Sequence, residues 1–245
     1  MSNAEGEIQT LRATLEARER ELSQLLHVIG HDMRAPLRAV VGFAELLLQS
    51  SPHELSEESR TYLDHVSEGA REMQGMLADL ERYARAARRP AQPQLIDPAL
   101  SLDEARRRLA PELTCAGAGL VFSTPLPRVL ADAESLLEIW LQVLSNAVKF
   151  CPRPAEVRVT AEQRAREVVF SVQDDGPGIP AVDRERVFGL FVRLVPSGSH
   201  PGRGVGLALV RRCVERLGGR AWIEAGSPHG TRIVFALPTL AEDAH

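Results

Sequence analysis

Two stretches in the first third of the chain repeat apolar residues in steps of three and four. Leu22, Leu26, Ile29, Met33, Leu37, Val40, Ala44 and Leu47 form one stripe; Tyr62, Val66, Ala70, Met73, Leu77, Leu80 and Ala84 form another. That spacing lines one face of an α-helix. It predicts a helix ending near Gln49, and a second starting after Ser56, an N-cap followed by Glu57 and Glu58, and running to about Ala87. The Ser50–Leu55 stretch reads as a turn, giving an antiparallel hairpin. One hairpin buries two such stripes poorly, whereas two hairpins bury them as a four-helix bundle, so a homodimer through residues 8–87 is expected. Upstream, Ile8, Leu11, Leu15, Leu22 and Leu25 fit heptad a and d positions, with Arg18 breaking one d position. A two-stranded coiled coil over residues 5–26 suits this seam, and a solvated single helix is the alternative.

After the proline-interrupted stretch Arg88–Gln94 the periodicity becomes mixed. Helices are predicted over Leu100–Leu113, from an Asp132 cap to Phe150, over Asp183–Phe191 and over Gly204–Leu217, where Gly218-Gly219 ends the last. Strands are predicted at Leu120–Phe122, Arg128–Leu130, Glu156–Thr160, Val168–Gln173, Ala221–Glu224 and Thr231–Leu237, with an irregular loop over Val192–Arg203. The fold class is an all-α dimerising hairpin over residues 1–89, followed by an α/β sandwich over residues 95–240. In the Asp132–Phe150 helix, Leu137, Trp140, Leu141, Leu144, Ala147 and Val148 are expected to face a core. Glu138, Gln142, Asn146 and Lys149 share the opposite face.

Composition narrows the function classes. With 245 residues and a net charge of -4, the chain offers no electrostatic case for nucleic acid or an anionic membrane. No apolar run reaches transmembrane length and no signal peptide is visible. Cys115, Cys151 and Cys213 are scattered without metal-ligand spacing, which suits a reduced, cytoplasmic protein. Ser2-Asn3-Ala4 reads as a cloning remnant, so the chain is expected to be a piece of something larger. Of 29 basic residues, only Lys149 is a lysine; a high-GC genome accounts for the arginine bias, and Lys149 is a candidate place for a required ammonium.

Four stretches carry chemistry. His31 lies about 200° around the first helix from both Ile29 and Met33, opposite the apolar stripe, with Asp32 beside it. An exposed imidazole next to a carboxylate is a reachable nucleophile, and Pro36 one turn on marks the turn as unusual for a helix interior. Amide oxygens at Gln142 and Asn146 suit a hard cation, and Lys149 one turn later suits phosphate. Asp174-Asp175-Gly176-Pro177-Gly178-Ile179 ends an apolar strand with a carboxylate able to accept a purine amine. Gly202-Arg203-Gly204-Val205-Gly206-Leu207 opens a helix whose free N–H groups can bind phosphate. Taken singly, each is compatible with a surface histidine, a solvated face or a plain turn; their order in one chain is the stronger signal.

The sequence resembles the sensor histidine kinases of two-component systems over nearly its whole length. His31-Asp32-Met33-Arg34-Ala35-Pro36-Leu37 resembles the phosphoacceptor box and Asn146-Ala147-Val148-Lys149-Phe150 the asparagine box. Asp174–Ile179 and Gly202–Leu207 resemble the two glycine boxes, and Phe188–Leu194 the phenylalanine box. The wording around His31 and the short lid Arg193–Pro201 are most similar to the bacteriophytochrome branch. The resemblance implies a histidine-bearing hairpin and an ATP-binding sandwich of the gyrase, chaperone and histidine-kinase type. It implies that His31 is phosphorylated with help from Asp32, and that Asp174 binds the adenine amine. Asn146 and Gln142 would ligate Mg²⁺, while Lys149 and Arg193 contact phosphates. Gly176, Gly178, Gly202, Gly204, Gly206, Leu207 and Thr231 would complete the nucleotide site. Implied partners are a response regulator receiver domain and an upstream sensory domain outside this chain. Two positions depart from the family: Gln142 stands where asparagine is usual, and Ala35 where a polar side chain is common. A nucleotide-binding dimeric scaffold without phosphotransfer is the alternative that Gln142 leaves open; a standalone ATPase is disfavoured by the histidine hairpin.

Overall fold

The computed structural model describes residues 32–49, 55–88, 92–122, 125–152, 154–194, 202–226 and 229–240, with Gly6, Thr14, Gln24, Val28 and Gly30. It divides into two compact units, residues 1–88 and 89–245. In the first unit, residues 32–49 are helical (α1) and continue unbroken through Pro36, and Glu57–Arg88 form α2. Ser56 caps α2 as predicted: its Oγ accepts from Ser59 N–H at 3.1 Å and its carbonyl from Arg60 N–H at 3.0 Å. Arg34 pairs with Glu81 and Glu45 with Arg71. The partner number falls as the α1 number rises, so the hairpin is antiparallel. Gly30, Ala44, Ser67, Ala70 and Ala84 are buried, which places small residues between the helices. The larger members of both stripes stay outside: Phe43 is 68% exposed and Tyr62 60%, with Met33, Val40, Leu47, Val66 and Met73 also exposed. The predicted heptad seam and most of the Ser50–Leu55 turn lie outside the described residues.

The second unit is a two-layer sandwich. Its elements in order are β1 (Gln94–Ile96), α3 (Pro98–Arg108), α4 (Ala110–Ala116), β2 (Gly119–Phe122), β3 (Val129–Ala131), α5 (Ala133–Phe150), β4 (Glu156–Arg164), β5 (Glu167–Asp174), α6 (Gly206–Arg216), β6 (Arg220–Ala225) and β7 (Thr231–Pro238). The main sheet has the order β2-β4-β5-β7-β6; β2 and β4 are parallel and the remaining pairs antiparallel. The strand β1 pairs with β3 in a separate antiparallel ribbon. Strand alternation puts Val168, Phe170 and Val172 on one face, opposite Leu237, Phe235 and Ile233 of β7. Trp140 of α5 enters this row edge-on, with its ring 5.4 Å from Phe170 and 5.1 Å from Phe235. The two phenylalanines stack at 5.1 Å across the strands. Aromatic pairs in such arrangements add about 0.5–1.5 kcal/mol each beyond area burial.

Four expectations are corrected. The helix expected over Leu100–Leu113 is two, broken at Leu109. Pro111 has no N–H for the carbonyl of Arg107 and its ring crowds that turn. Instead of a helix over Asp183–Phe191 there are single 3₁₀ turns at Ala181–Asp183 and Arg186–Phe188; the backbone is extended at Gly189, with ψ 152°, and left-handed at Phe191, with φ +60°. The buried arc of α5 is wider and rotated: Leu136, Ile139 and Val143 are fully buried, while Leu137 and Leu141 are half-buried. This helix packs against α3 and α6 as well as the sheet, so more than one stripe meets protein. Strand β1, too short to show alternation, is formed by its pairing with β3.

The two helices nearest the site are tied together at one end. Asp132 caps α5 by accepting from Ser135 N–H at 2.9 Å, and its other oxygen takes Arg216 of α6 at 2.9 Å. Arg216 also donates to Ser135 Oγ. Both charged side chains are largely covered, so the pair is screened less than a surface bridge. Asp132→Asn keeps the cap and weakens the charged contact; Asp132→Ala removes both. Urea unfolding is expected to show a loss of about 1 kcal/mol for the asparagine variant and about 2–3 kcal/mol for the alanine variant. Equal losses would mean that the contact to Arg216 contributes nothing.

Candidate functional site

Asp174 continues the inward row Val168-Phe170-Val172 by one more step of two, so its carboxylate faces the helix layer and is only 4% exposed. Oδ1 accepts from Gly176 N–H at 2.8 Å and from Thr231 N–H at 3.1 Å. Burial pushes the carboxyl pKa up; the two backbone N–H donors oppose the shift, and Asp175 adds a smaller push upward. The surrounding chain is packed to the limit. A methyl group on Gly176 would lie 2.8 Å from Phe150 O, and one on Gly230 would overlap Asp174 O. Gly178 and Gly230 both have positive φ. Gly230 escaped the sequence reading; a glycine just before the closing strand was the available signal.

A second group of polar side chains lies along α5. Glu138, Gln142, Asn146 and Lys149 are all half-buried. Gln142 Nε2 donates to Glu138 Oε1 at 2.8 Å. A methyl group on Gly206 would lie 2.8 Å from Gln142 Oε1 and 3.7 Å from Asn146 Oδ1, so both amides border the start of α6. That helix begins at Gly206, two residues later than expected, and its cap residue Val205 provides no side-chain acceptor. Among the described residues no side chain caps this helix start. Leu207 is half-buried in the first turn, and Lys149 sits in the last turn of α5. From Gln142 to Phe150 the helix runs about 12 Å, at about 1.5 Å per residue. The α5 backbone thus connects the start of α6 to the Asp174 turn.

Among the described residues, no group of three or more His, Cys, Asp or Glu side chains is arranged to hold a metal. The hard donors on this face of α5 are the amide oxygens of Gln142 and Asn146 and the carboxylate of Glu138, which accepts from Gln142 Nε2. This is a set fitted to a cation that keeps water and substrate oxygens as its other ligands, as Mg²⁺ does.

Arg193 and Leu194 follow Phe191, and Gly202, Arg203 and Gly204 lead into α6; residues 195–201 of the expected lid lie outside the described residues. Gly204 has φ +74°, and a methyl group there would lie 2.5 Å from Val192 O. Only glycine combines that dihedral with such an approach of backbone to backbone.

His31 also lies outside the described residues. Around it, Asp32, Ala35 and Pro36 are exposed on α1, and Gly30 is buried. Glu81 of α2, absent from the sequence reading, packs on Gly30 and pairs with Arg34. Pairing across a hairpin leaves no mark in local sequence, which is why the reading passed over it.

The two units correspond to two known families. Residues 21–89 match the His Kinase A (phospho-acceptor) domain, and residues 131–241 match the histidine kinase-, DNA gyrase B-, and HSP90-like ATPase domain. The methanogenesis regulatory histidine kinase FilI of Methanothrix harundinacea is 32% identical over 239 residues, which are 96% of this chain and 27% of FilI. The structure of full-length ShkA in complex with AMPPNP has a TM-score of 0.64 at 29% identity, covering 89% of this chain and 47% of that one. The mycobacterial sensor histidine kinase MprB has a TM-score of 0.54 at 30% identity, covering 61% of this chain and 99% of that one. The chain belongs to the sensor histidine kinase family: a phosphoacceptor hairpin followed by an ATPase-type sandwich. It spans less than a third of the length of the first curated relatives it matches. Among the described residues, no helix is long and apolar enough to cross a membrane.

The raised pKa of Asp174 has a stability consequence of fixed sign. The native state holds the Asp174 proton more tightly than the unfolded chain does. The stability this contributes is present below the ordinary aspartate pKa and lost as pH rises through the raised one. Asp174→Asn keeps an oxygen for Gly176 and Thr231 and removes the buried charge. Its melting temperature is expected to exceed that of the wild type at pH 7, with the gap closing toward about pH 4. A gap that widens on acidification would show that the carboxylate is stabilised by its surroundings instead.

Proposed function

We propose that the chain is the core of an ATP-dependent protein-histidine kinase. Residues 1–89 dimerise and carry the phosphoacceptor, and residues 95–240 bind the nucleotide. The observation that carries this reading is the layout along α5. At one end is a buried carboxylate held by two backbone N–H groups; at the other are two amides bordering an uncapped helix start, about 12 Å away. The ShkA structure was solved with AMPPNP, in keeping with this nucleotide reading.

In this reading Asp174 accepts the adenine amine, with Thr231 and Gly176 fixing its orientation and Gly178 shaping the turn. The backbone of Gly202, Gly204, Gly206 and Leu207 lines the phosphates, and Lys149 and Arg193 supply cations to them. Asn146 and Gln142 would hold Mg²⁺, which when bound neutralises triphosphate charge. Neutral His31 directs the Nε2 lone pair to the γ-phosphorus, and the bond from that phosphorus to the ADP oxygen breaks. Asp32 takes up the proton from the other imidazole nitrogen. The phosphoryl group then passes to an aspartate of a response regulator receiver domain. The apolar residues left uncovered on α1 and α2 support a homodimer through residues 8–87. The heptad segment would relay the state of an upstream sensory domain, and the work is placed in the cytoplasm, where ATP and the regulator are found.

Incubation with γ-labelled ATP and Mg²⁺ tests the reading. The expected product is an acid-labile, base-stable label on the protein, abolished by His31→Gln with ATP binding retained. Nucleotide binding without label would favour the scaffold, and released phosphate without label the ATPase. Asp174→Asn, expected to gain stability, should weaken ATP binding about tenfold or more, since a hydrogen bond to a charged acceptor contributes about 1.5–3 kcal/mol. Calorimetry giving an unchanged affinity would remove Asp174 from the site.

A further inference from the structure

The segment around the second 3₁₀ turn, Arg186–Phe188, is tied to α6 by the guanidinium of Arg211. Arg211, five residues after Gly206, donates from its two terminal nitrogens to the two carboxylate oxygens of Glu185, at 2.5 and 2.9 Å. Its Cζ also lies 4.1 Å from the centre of the Phe188 ring, and Phe188 is buried. Glu185 is 84% exposed, so the ion pair contributes little stability as such. A planar fork engaged on both oxygens and stacked on an aromatic face fixes orientation as well as distance.

Close contacts continue from this clamp toward Gly204. A methyl group on Gly189 would lie 3.0 Å from Val192 Cγ2, and Gly204 abuts the backbone of Phe191 and Val192. The backbone at Phe191–Val192 and at Gly204 is thereby held side by side next to the start of α6. Phe191, at φ +60°, turns the chain, and Arg193 follows two residues later.

We propose that Arg211 is a positioning residue for the triphosphate. By holding Glu185 and Phe188 on α6, it sets where Phe191 turns the chain and so where Arg193 is delivered relative to the start of α6. Arg211 lies about 7.5 Å along the helix axis from Gly206. It touches no phosphate in this scheme and acts through Arg193. The inference rests on the nucleotide-binding reading above.

Dissociation constants for ATP and AMP, measured on the full chain by calorimetry, test it. Arg211→Ala is expected to weaken ATP about tenfold and to leave AMP within about twofold, because the affected contact is to the outer phosphates. In a double-mutant cycle, Arg211→Ala should add nothing on an Arg193→Ala background. A loss of rigidity alone would weaken both nucleotides and add to the Arg193 effect. Glu185→Ala removes an exposed side chain without opening the core, and should give the same selective loss at about threefold. It decides the matter if Arg211→Ala does not fold. Parallel weakening of ATP and AMP, additivity with Arg193→Ala, or unchanged ATP binding in the variants would overturn the inference alone. A wild-type chain that binds no ATP would overturn the nucleotide reading with it.

Discussion

A carboxylate is placed where the sheet would otherwise put a valine. The inward row of β5 runs Val168, Phe170, Val172 and then Asp174, all buried against the helix layer. An ionised carboxylate in that position requires hydrogen-bond donors, and among the described residues those donating to it are the backbone N–H groups of Gly176 and Thr231. That requirement shapes the surrounding chain. The stretch after Asp174 doubles back so that Gly176 can donate, and the backbone at Gly230 comes against the Asp174 carbonyl so that Thr231 can. Neither approach leaves room for a side chain. The raised pKa of Asp174 shows that these donors offset the cost of burial only in part. An adenine amine would supply a further donor. In the proposed function the sandwich gives up some stability to keep this carboxylate buried, the usual exchange of stability for function at a binding site.

Helix α5 carries this constraint across the molecule. Trp140 locks its middle onto the Phe170–Phe235 pair, and Asp132 joins its start to Arg216 at the end of α6. With both fixed, the start of α6 lies beside Gln142 and Asn146. A single rigid helix therefore sets the separation between the Asp174 turn and the two amides, whatever the position of the chain between the 3₁₀ turns and α6. The extra methylene of Gln142 relative to asparagine is taken up by its bond to Glu138. That contact fixes the amide nitrogen and turns the oxygen toward Gly206.

How much of this was legible in the sequence depended on how far apart the cooperating residues lie. The Asp174 turn, the α5 polar face and the glycines before α6 are each contiguous or spaced by helical turns, so these groups of residues could be picked out directly. The hairpin was legible because its stripes are long. Contacts made by distant residues were not. Asp132 with Arg216, Glu185 with Arg211 and Glu81 with Arg34 each look like ordinary surface charges until the fold brings them together. Errors of boundary had local causes that the pattern did not weigh enough: Pro111 in the helix after α3, and the extended backbone at Gly189 and positive φ at Phe191 where a helix had been expected. The rotated burial of α5 reflects packing on three sides, which one stripe cannot encode.

The choice of basic residue points the same way as the geometry. Every other basic residue among the 29 is arginine, yet position 149 is lysine. Composition bias toward arginine would favour that residue there too, so the exception calls for a physical reason. Arginine presents a rigid fork suited to a fixed planar partner, as Arg211 does with Glu185. Lysine is a compact charge on a flexible stem, able to follow an anion whose position and charge change. At the last turn of α5 it also meets the negative end of the helix dipole, which favours a cation in any case. A transferring phosphoryl group changes both position and charge as it leaves the nucleotide. In the proposed reaction the clamp on the protein is arginine and the contact beside the moving group would be lysine, each with the mobility its partner demands.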